Sequence, residues 1–168
     1  LVKIESIDTE AVYVSLVKNL NMNSELPIFV SLIQGYPKGD KLDTIIKNSV
    51  QLGVGSITPF LSSRTMVKIN KEKVDKKTAR HNKISKESAE QSMRMFIPEV
   101  FDPVKLQKID FSYFDKIIIC YEESAKNGET SAFRHLAERL KPSDKLAVIV
   151  GPEGGLSEEE VIYLEKLG

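Results

Sequence analysis

The sequence lacks the features that stabilise or target a protein outside the cytoplasm. It has one cysteine, Cys120, so an internal disulfide is excluded, and the apolar run IIIC around it predicts a buried structural thiol. No hydrophobic run approaches the length that spans a membrane. The first ten residues lack both the basic start and the apolar core of a signal peptide. These absences predict a cytoplasmic protein with no membrane contact.

The chain also lacks an initiator methionine, because it begins with Leu1, and this predicts that it is a piece of a longer protein. Its 168 residues are enough for one sizeable domain and a fragment of a second. The hydrophobic share of 41% and the charged share of 29% are those of an ordinary globular protein.

Net charge is absent as well, but the charges are unevenly distributed. Between Arg64 and Lys86 nine basic residues are opposed only by Glu72 and Asp75, and nine minus two leaves a local excess of seven positive charges. Such a segment can attract a phosphate backbone. A solvated helix face would have the same composition, so charge alone leaves both interpretations open.

The periodicity of apolar residues predicts an α/β fold with a parallel sheet flanked by helices. In residues 1–20 the segments VKIESI and AVYVSLV alternate apolar and polar residues, as half-buried antiparallel strands do. From Ile28 onward, buried strands alternate with helices, which implies right-handed crossovers. The predicted strands are 28–33, 56–61, 116–121 and 145–150, and the predicted helices are 40–53 (capped by Asp40), 76–93 and 131–140.

One loop between a strand and a helix is unusually rich in glycine. The segment VIVGPEGGLSEEEV (148–161) places Gly151, Pro152, Glu153, Gly154 and Gly155 directly after a buried strand. Ligands of open α/β sheets bind beyond the carboxyl ends of strands, and glycines let a ligand approach the backbone. The spacing matches neither phosphate-binding glycine motif, and a glutamate would repel phosphate. We therefore expect a neutral or cationic ligand; a tight turn without a ligand is the alternative.

The helix that follows this loop has a clear start signal. Ser157 and Glu160 have the spacing of a capping box, in which each side chain hydrogen-bonds the backbone of the other residue. The helix is therefore expected to begin directly after the glycine loop and to end near Gly168.

Four segments in order resemble the SPOUT methyltransferases of the RsmE type, which methylate N3 of a uridine in 16S ribosomal RNA. The loop IVGPEGGLSEEEV resembles the signature loop of that family. The segment QGYPKGDKLDTIIKNSVQLGV (34–54) resembles its K-G-x-K helix with the E-L-G-V turn. The segment ITPFLSSRTMVK (57–68) resembles its P-x-x-[ST]-x-R segment, and KISKESAEQSMRMFIPEV (83–100) resembles its E-A-x-E-Q-x-x-R helix. The resemblance covers about residues 27–168, and four ordered motifs are more specific than any one of them.

The resemblance implies a domain organisation and an assembly. Residues 1–25 would be the last strands and linker of a PUA-like β-barrel, and residues 26–168 would be a SPOUT domain. The family has a deep trefoil knot and forms a homodimer, but the chain stops just before the segment that threads the knot.

The resemblance also implies a methyl donor, a substrate and residue roles. S-adenosylmethionine would be the donor, and 16S ribosomal RNA in the small-subunit particle would be the partner. Arg94 and Glu153 are the predicted catalytic residues. The expected RNA-binding residues are Lys38, Lys41, Arg64 and Arg94, and the expected donor-binding residues are Glu123, Ile149, Gly151, Pro152, Glu153, Gly154 and Gly155.

Other interpretations remain open at this point. The chain could be a SPOUT enzyme that methylates the ribose 2′-oxygen of another RNA, or an RNA-binding module without activity. Arg94 could stabilise a uridine anion, or it could only interact with the dipole at the end of its helix. His81 and His135 lack metal-ligand spacing and are predicted to be surface groups, so no metal is expected.

Overall fold

A computed structural model describes residues 1–21, 23–65, 71–122 and 131–167 of the chain. The helices are α1 (Lys41–Gln51), α2 (Lys71–Gln91), α3 (Ala132–Ala137) and α4 (Glu158–Glu165). The strands are β1 (Val2–Ile7), β2 (Val12–Leu16), β3 (Phe29–Gly35), β4 (Ser56–Leu61), β5 (Glu99–Val100), β6 (Val104–Lys105), β7 (Lys116–Cys120) and β8 (Lys145–Val150).

The described strands from β3 onward form a parallel sheet. Its order is β5-β4-β3-β8-β7, and β6 pairs with the far end of β4. Every pairing within it is parallel, which confirms the predicted α/β class. The parallel arrangement brings the carboxyl ends of β3, β4, β7 and β8 to one edge of the sheet.

Apolar clusters cover both faces of the sheet. On one face, α1 and α2 pack their buried residues, among them Ile46 and Ala89, against Ile57 of β4. On the other face, Val161 and Leu164 of α4 pack against Ile149 of β8. Burial on both faces accounts for the uninterrupted apolar run LAVIV of β8, which pairs with β3 on one side and β7 on the other.

The N-terminal strands form a separate antiparallel hairpin, as predicted, but their predicted half-burial is wrong. Both strands are exposed along their whole length. Apolar side chains such as Ile4 (57% exposed) and Leu16 (75%) face solvent. A two-stranded ribbon has no packed layer against which to bury an apolar face, so the alternation of apolar and polar residues does not by itself show that one face is buried. The domain boundary between residues 25 and 26 stays a prediction.

The edge strand β7 also departs from the prediction. Cys120 was expected to be buried, but it is exposed, and the exposure pattern of β7 is intermediate rather than buried. The reason is position: β7 pairs only with β8 among the described strands, so one side of it lacks a neighbour. Partial burial still raises the pKa of the Cys120 thiol, which does not favour a reactive thiolate.

Smaller differences concern element ends and loops. Asp40 lies at the N-cap of α1, but its side chain makes no capping hydrogen bond. Helix α2 begins at Lys71, before the predicted Lys76. The stretch 98–110, expected to be a loop, contributes β5 and β6 to the edge of the sheet. Within the described residues, no helix is long and apolar enough to span a bilayer.

Candidate functional site

A cavity of about 380 Å³ lies beyond the carboxyl ends of β7 and β8. Its volume falls within the range of small-molecule sites. The glycine loop (residues 151–155) forms one wall. The full lining is Arg64, residues 120–122, residues 150–156 and Glu158. The glycine loop therefore lies beyond the carboxyl end of β8, as predicted, and a cavity adjoins it; its role in binding the donor stays a prediction.

The glycine loop lies against the end of β3 with no room for a side chain between them. A Cβ on Gly35 would lie 2.3 Å from the backbone nitrogen of Pro152. Gln34 donates from Nε2 to the Gly151 carbonyl oxygen at 3.3 Å, which ties the two strand ends together. Gly155 has a φ of +71°, a conformation that glycine adopts without strain. The glycines therefore serve both the turn and the close packing of the loop.

Glu153 joins the glycine loop to the start of α1. Its carboxylate accepts hydrogen bonds from Lys41 Nζ at 2.7 Å and from the Lys38 backbone N–H at 3.2 Å. The Lys41 side chain remains 63% exposed, and that of Glu153 34%. The structure thus brings three predicted site residues together, with both lysines beside the loop.

Arg64 approaches the same loop from the end of β4. Its Nη1 donates to the Gly154 carbonyl oxygen at 2.8 Å, and the side chain lines the cavity. Because Arg64 is exposed, its guanidinium keeps donors free to face a bound ligand. Arg64 therefore belongs to the same site as Lys38, Lys41 and Glu153.

Glu153 is held as a carboxylate across the physiological pH range. The hydrogen bond from Lys41, with further backbone hydrogen bonds, lowers the pKa of Glu153 from 4.5 to about 2. A depressed pKa means that the Lys41 contact stabilises the fold above about pH 4.5 and is lost as pH falls toward 2. A carboxyl group of this kind does not donate a proton at neutral pH.

Replacing Lys41 with methionine should raise the pKa of Glu153 toward its ordinary value of 4.5, because the principal stabilising donor is removed. Carboxyl-detected NMR titration of the Glu153 side chain measures this shift. Lys47→Met, which removes another exposed lysine of α1, is the matched control and should leave the pKa of Glu153 unchanged. Equal titration curves for the wild type and Lys41→Met would contradict the assignment of Lys41 as the controlling group.

Arg94 does not lie at this site. Its side chain is only 4% exposed and forms an ion pair with Glu25. Its Nη1 also donates to the carbonyl oxygens of Val50 at 3.1 Å and Val54 at 2.6 Å, at the end of α1. These partners precede β3 and β4, so Arg94 lies at the amino edge of the sheet, opposite the glycine loop. Within the single chain the Arg94 guanidinium is therefore engaged apart from Glu153, and its predicted catalytic and RNA-binding roles stay predictions.

The other predicted residues have mixed positions. Ile149 is fully buried, and its side chain packs in the core rather than lining the cavity. Glu123 lies outside the described residues. His135 is exposed as predicted, but His81 is only 7% exposed, contrary to its predicted surface position. The packing of α2 on α1 places His81 Nε2 3.4 Å from Asp43 Oδ1, and burial lowers the pKa of His81.

Two residues of the site were missed by sequence reasoning. Gly35 and Gln34 fix the glycine loop, yet neither belongs to it. A glycine directly at the end of a buried strand was the available signal, because it marks a close backbone approach. No group of acidic, histidine or cysteine side chains suited to a metal ion occurs within the part of the chain that the structure describes.

Comparison with known proteins gives a consistent family. The family model for the RNA methyltransferase domain matches residues 24–168. The chain is 41% identical over 161 residues to ribosomal RNA small subunit methyltransferase E of Bacillus subtilis, covering 95% of the chain and 63% of that protein. It is 32% identical over 150 residues to the protein of the same name from Synechocystis, covering 87% of the chain and 46% of that protein.

A solved structure is similar along nearly the whole chain. The ribosomal RNA small subunit methyltransferase E of Neisseria gonorrhoeae, bound to S-adenosylmethionine, aligns with a TM-score of 0.72 and 25% identity, covering 98% of this chain and 66% of that one. The chain spans less than two thirds of the length of each of these three relatives. Because the family match extends over most of its length, the chain belongs to the RNA methyltransferase domain family, of the small subunit methyltransferase E type.

Proposed function

We propose that the full-length protein transfers a methyl group from S-adenosylmethionine to N3 of a uridine in 16S ribosomal RNA. The observation that carries this proposal is the convergence of a glycine-lined cavity with three exposed cations, Lys38, Lys41 and Arg64. The cavity would take the donor, and the cations would take the RNA. The relatives named above support the donor and the ribosomal substrate.

The residues around the cavity fit a donor with a positive centre. Among the described residues that line it, three are glutamates, Glu122, Glu153 and Glu158, and one is an arginine, Arg64. Backbone groups of the glycine loop provide neutral hydrogen-bond donors and acceptors beside the cavity. The loop backbone is tightly folded there, because a Cβ on Gly151 would lie 2.9 Å from the Gly155 carbonyl carbon. A phosphate ligand would suit this lining poorly, since carboxylates repel it.

When bound, S-adenosylmethionine supplies an electrophilic methyl group on a sulfonium. The chain itself would supply position and charge. Residues 151–155 would hold the donor by backbone contacts, with carboxylates offsetting its positive charge. Glu153, which Lys41 keeps ionised, would hold Lys38 and Lys41 beside the glycine loop. It would not transfer a proton.

The basic residues near α1 would bind the RNA backbone. Lys77 of α2 extends this group, because its Nζ contacts the Tyr36 hydroxyl at 3.4 Å, two residues before Lys38. Each phosphate contact of this kind makes binding salt-dependent. The N3 atom lies on the Watson–Crick edge, so the target uridine would have to be unpaired to react.

The test is nucleoside mass analysis of unmethylated 16S ribosomal RNA, in small-subunit particles, after treatment with full-length protein and S-adenosylmethionine. We expect 3-methyluridine, and product at background level for Gly151→Val, in which the added side chain would clash with the Gly155 backbone. A 2′-O-methylated nucleoside would support the other enzyme reaction. RNA binding without any methylated product would support a module without activity, and either result would overturn the proposal.

We also propose that the full-length protein is a cytoplasmic homodimer with a knotted C-terminal part, as the family resemblance implies. The basis of this proposal is membership of the family, whose model matches residues 24–168. Analytical ultracentrifugation of the full-length protein checks the dimer: a single species of monomer mass at micromolar concentration would contradict it.

A further inference from the structure

Glu160 is a buried carboxylate outside the cavity, and its contacts exceed those of a helix cap. Its side chain completes the predicted capping box of α4 with Ser157. The residue is only 4% exposed, although it is a glutamate on a short helix. A buried carboxylate must be satisfied by hydrogen bonds or by a charge. Its remaining contacts therefore indicate what else it does.

Those contacts reach the turn that carries Arg64. Ser62 Oγ donates to Glu160 Oε2 at 2.9 Å, and the Ser63 backbone N–H donates to Oε1 at 2.9 Å. The third contact closes the capping box, because the Ser157 backbone N–H donates to Oε2, also at 2.9 Å. All three donors are neutral, so the negative charge of Glu160 is stabilised by hydrogen bonds and by the positive end of the α4 dipole.

The contacts form a closed circuit with the glycine loop. Ser62 Oγ, which donates to Glu160, also accepts the Arg64 backbone N–H at 3.2 Å. Arg64 in turn donates from Nη1 to Gly154 O at 2.8 Å. From Gly154 the chain continues through Ser157 back to Glu160. The turn of residues 62–65 is thereby joined at two points to the segment 154–160: through Ser62 and Ser63 to Glu160, and through Arg64 to Gly154.

We propose that Glu160 is a positioning residue for the donor cavity: through Ser62 and Ser63 it holds Arg64 against Gly154, so that the turn and the glycine loop form one rigid wall. This inference rests on the proposed function, because it assigns the cavity to S-adenosylmethionine. Glu160 itself does not line the cavity, so it acts only through Arg64.

The substitution Glu160→Gln tests this role with little change in volume. The glutamine amide has one oxygen, so at one of the two carboxylate oxygen positions an NH2 group replaces the acceptor. In either orientation this group meets a backbone N–H, that of Ser63 or that of Ser157, and one contact is lost. Glu159→Gln is the matched control, since Glu159 is an exposed neighbour on the same helix and loses the same charge.

The measurement is the Kd for S-adenosylmethionine of the full-length protein by isothermal titration calorimetry, as a double-mutant cycle with Arg64→Ala. We expect about a tenfold rise for Glu160→Gln and for Arg64→Ala, the size of one lost charge-assisted hydrogen bond. The double variant should stay within about twofold of Arg64→Ala alone, because both changes break the same circuit. Glu159→Gln should bind as tightly as the wild type.

Other outcomes separate the two proposals. Failure of the wild type to bind the donor would overturn the proposed function. With the wild type binding, unchanged affinity in Glu160→Gln would overturn the positioning role. A multiplicative loss of about a hundredfold in the double variant would do the same, because it would show that Glu160 acts independently of Arg64.

A second pair of variants covers the case in which Glu160→Gln does not fold. Ser62→Ala removes the hydroxyl that links Glu160 to the Arg64 amide, while leaving the carboxylate two backbone donors. Ser63→Ala keeps the backbone N–H contact and serves as its control. A Kd raised severalfold in Ser62→Ala, but not in Ser63→Ala, supports the positioning role, and equal values for both overturn it.

Discussion

Replacing Arg94 with methionine is expected to lower the free energy of unfolding of the full-length protein by about 3–5 kcal/mol, the cost of removing one partner of a buried ion pair. Methionine keeps most of the side-chain volume but leaves Glu25 without its cation. It also leaves the carbonyl oxygens of Val50 and Val54 without their donor. Urea denaturation followed by circular dichroism measures this loss.

The stability loss of Arg94→Met should depend on pH, because Glu25 titrates. Hydrogen bonding from Arg94 is the main cause that lowers the pKa of Glu25 below 4.5, and the Met95 backbone N–H contributes as well. Its stabilising contribution is therefore present above about pH 4.5 and declines as pH falls through the lowered pKa. The stability difference between wild type and Arg94→Met should accordingly shrink in acid.

The matched control is Arg134→Met, which breaks an ion pair with Glu138 in which the arginine side chain is 82% exposed. An exposed pair of this kind contributes only about 0–1 kcal/mol. If Arg94→Met instead unfolded like the wild type yet lost methyl transfer, Arg94 would be a catalytic residue, as the sequence predicts, and its structural role would be wrong.

Gly35→Ala is expected to reduce methyl transfer by about a hundredfold, the effect of misplacing a binding element by about 1 Å. The added Cβ would lie 2.3 Å from the Pro152 nitrogen and 2.4 Å from its Cδ. Both atoms belong to the stiff backbone and ring of the glycine loop, so the loop has to move. The variant should also lose about 1–3 kcal/mol of stability through overpacking.

Gly39→Ala provides the comparison, because Gly39 lies four residues after Gly35, between β3 and α1. No atom lies within 4 Å of its Cβ position, although its φ of +64° strains any other residue. This variant should lose stability but keep most of its donor affinity and its methyl transfer, measured by calorimetry and tritium incorporation from labelled donor. Equal activity in Gly35→Ala and wild type would show that the close approach of β3 to the glycine loop is unimportant.

The outcome for individual residues shows how far sequence reasoning reached. Gly151 and Glu153 were predicted from a local pattern, small residues and one carboxylate directly after a buried strand, whereas Arg64 was predicted through the resemblance. Lys38 and Lys41 were also predicted through the resemblance, and the structure shows that the Lys38 backbone and the Lys41 side chain contact Glu153. Arg94 came from a motif too, but its burial depends on residues 40 and 69 positions away, which no local pattern reveals.

The sequence by itself determined the class of the sheet, the glycine loop at a strand end and the capping box of α4, because each depends on neighbours within a few residues. Only the tertiary structure decided which charges meet across the fold. In the folded chain Glu153 contacts Lys41, Arg94 contacts Glu25, and Glu160 contacts Ser62. Hydrogen bonds and ion pairs require contact within a few ångströms, and for residues 69 to 112 positions apart such contact is set by the packing of strands and helices rather than by local periodicity.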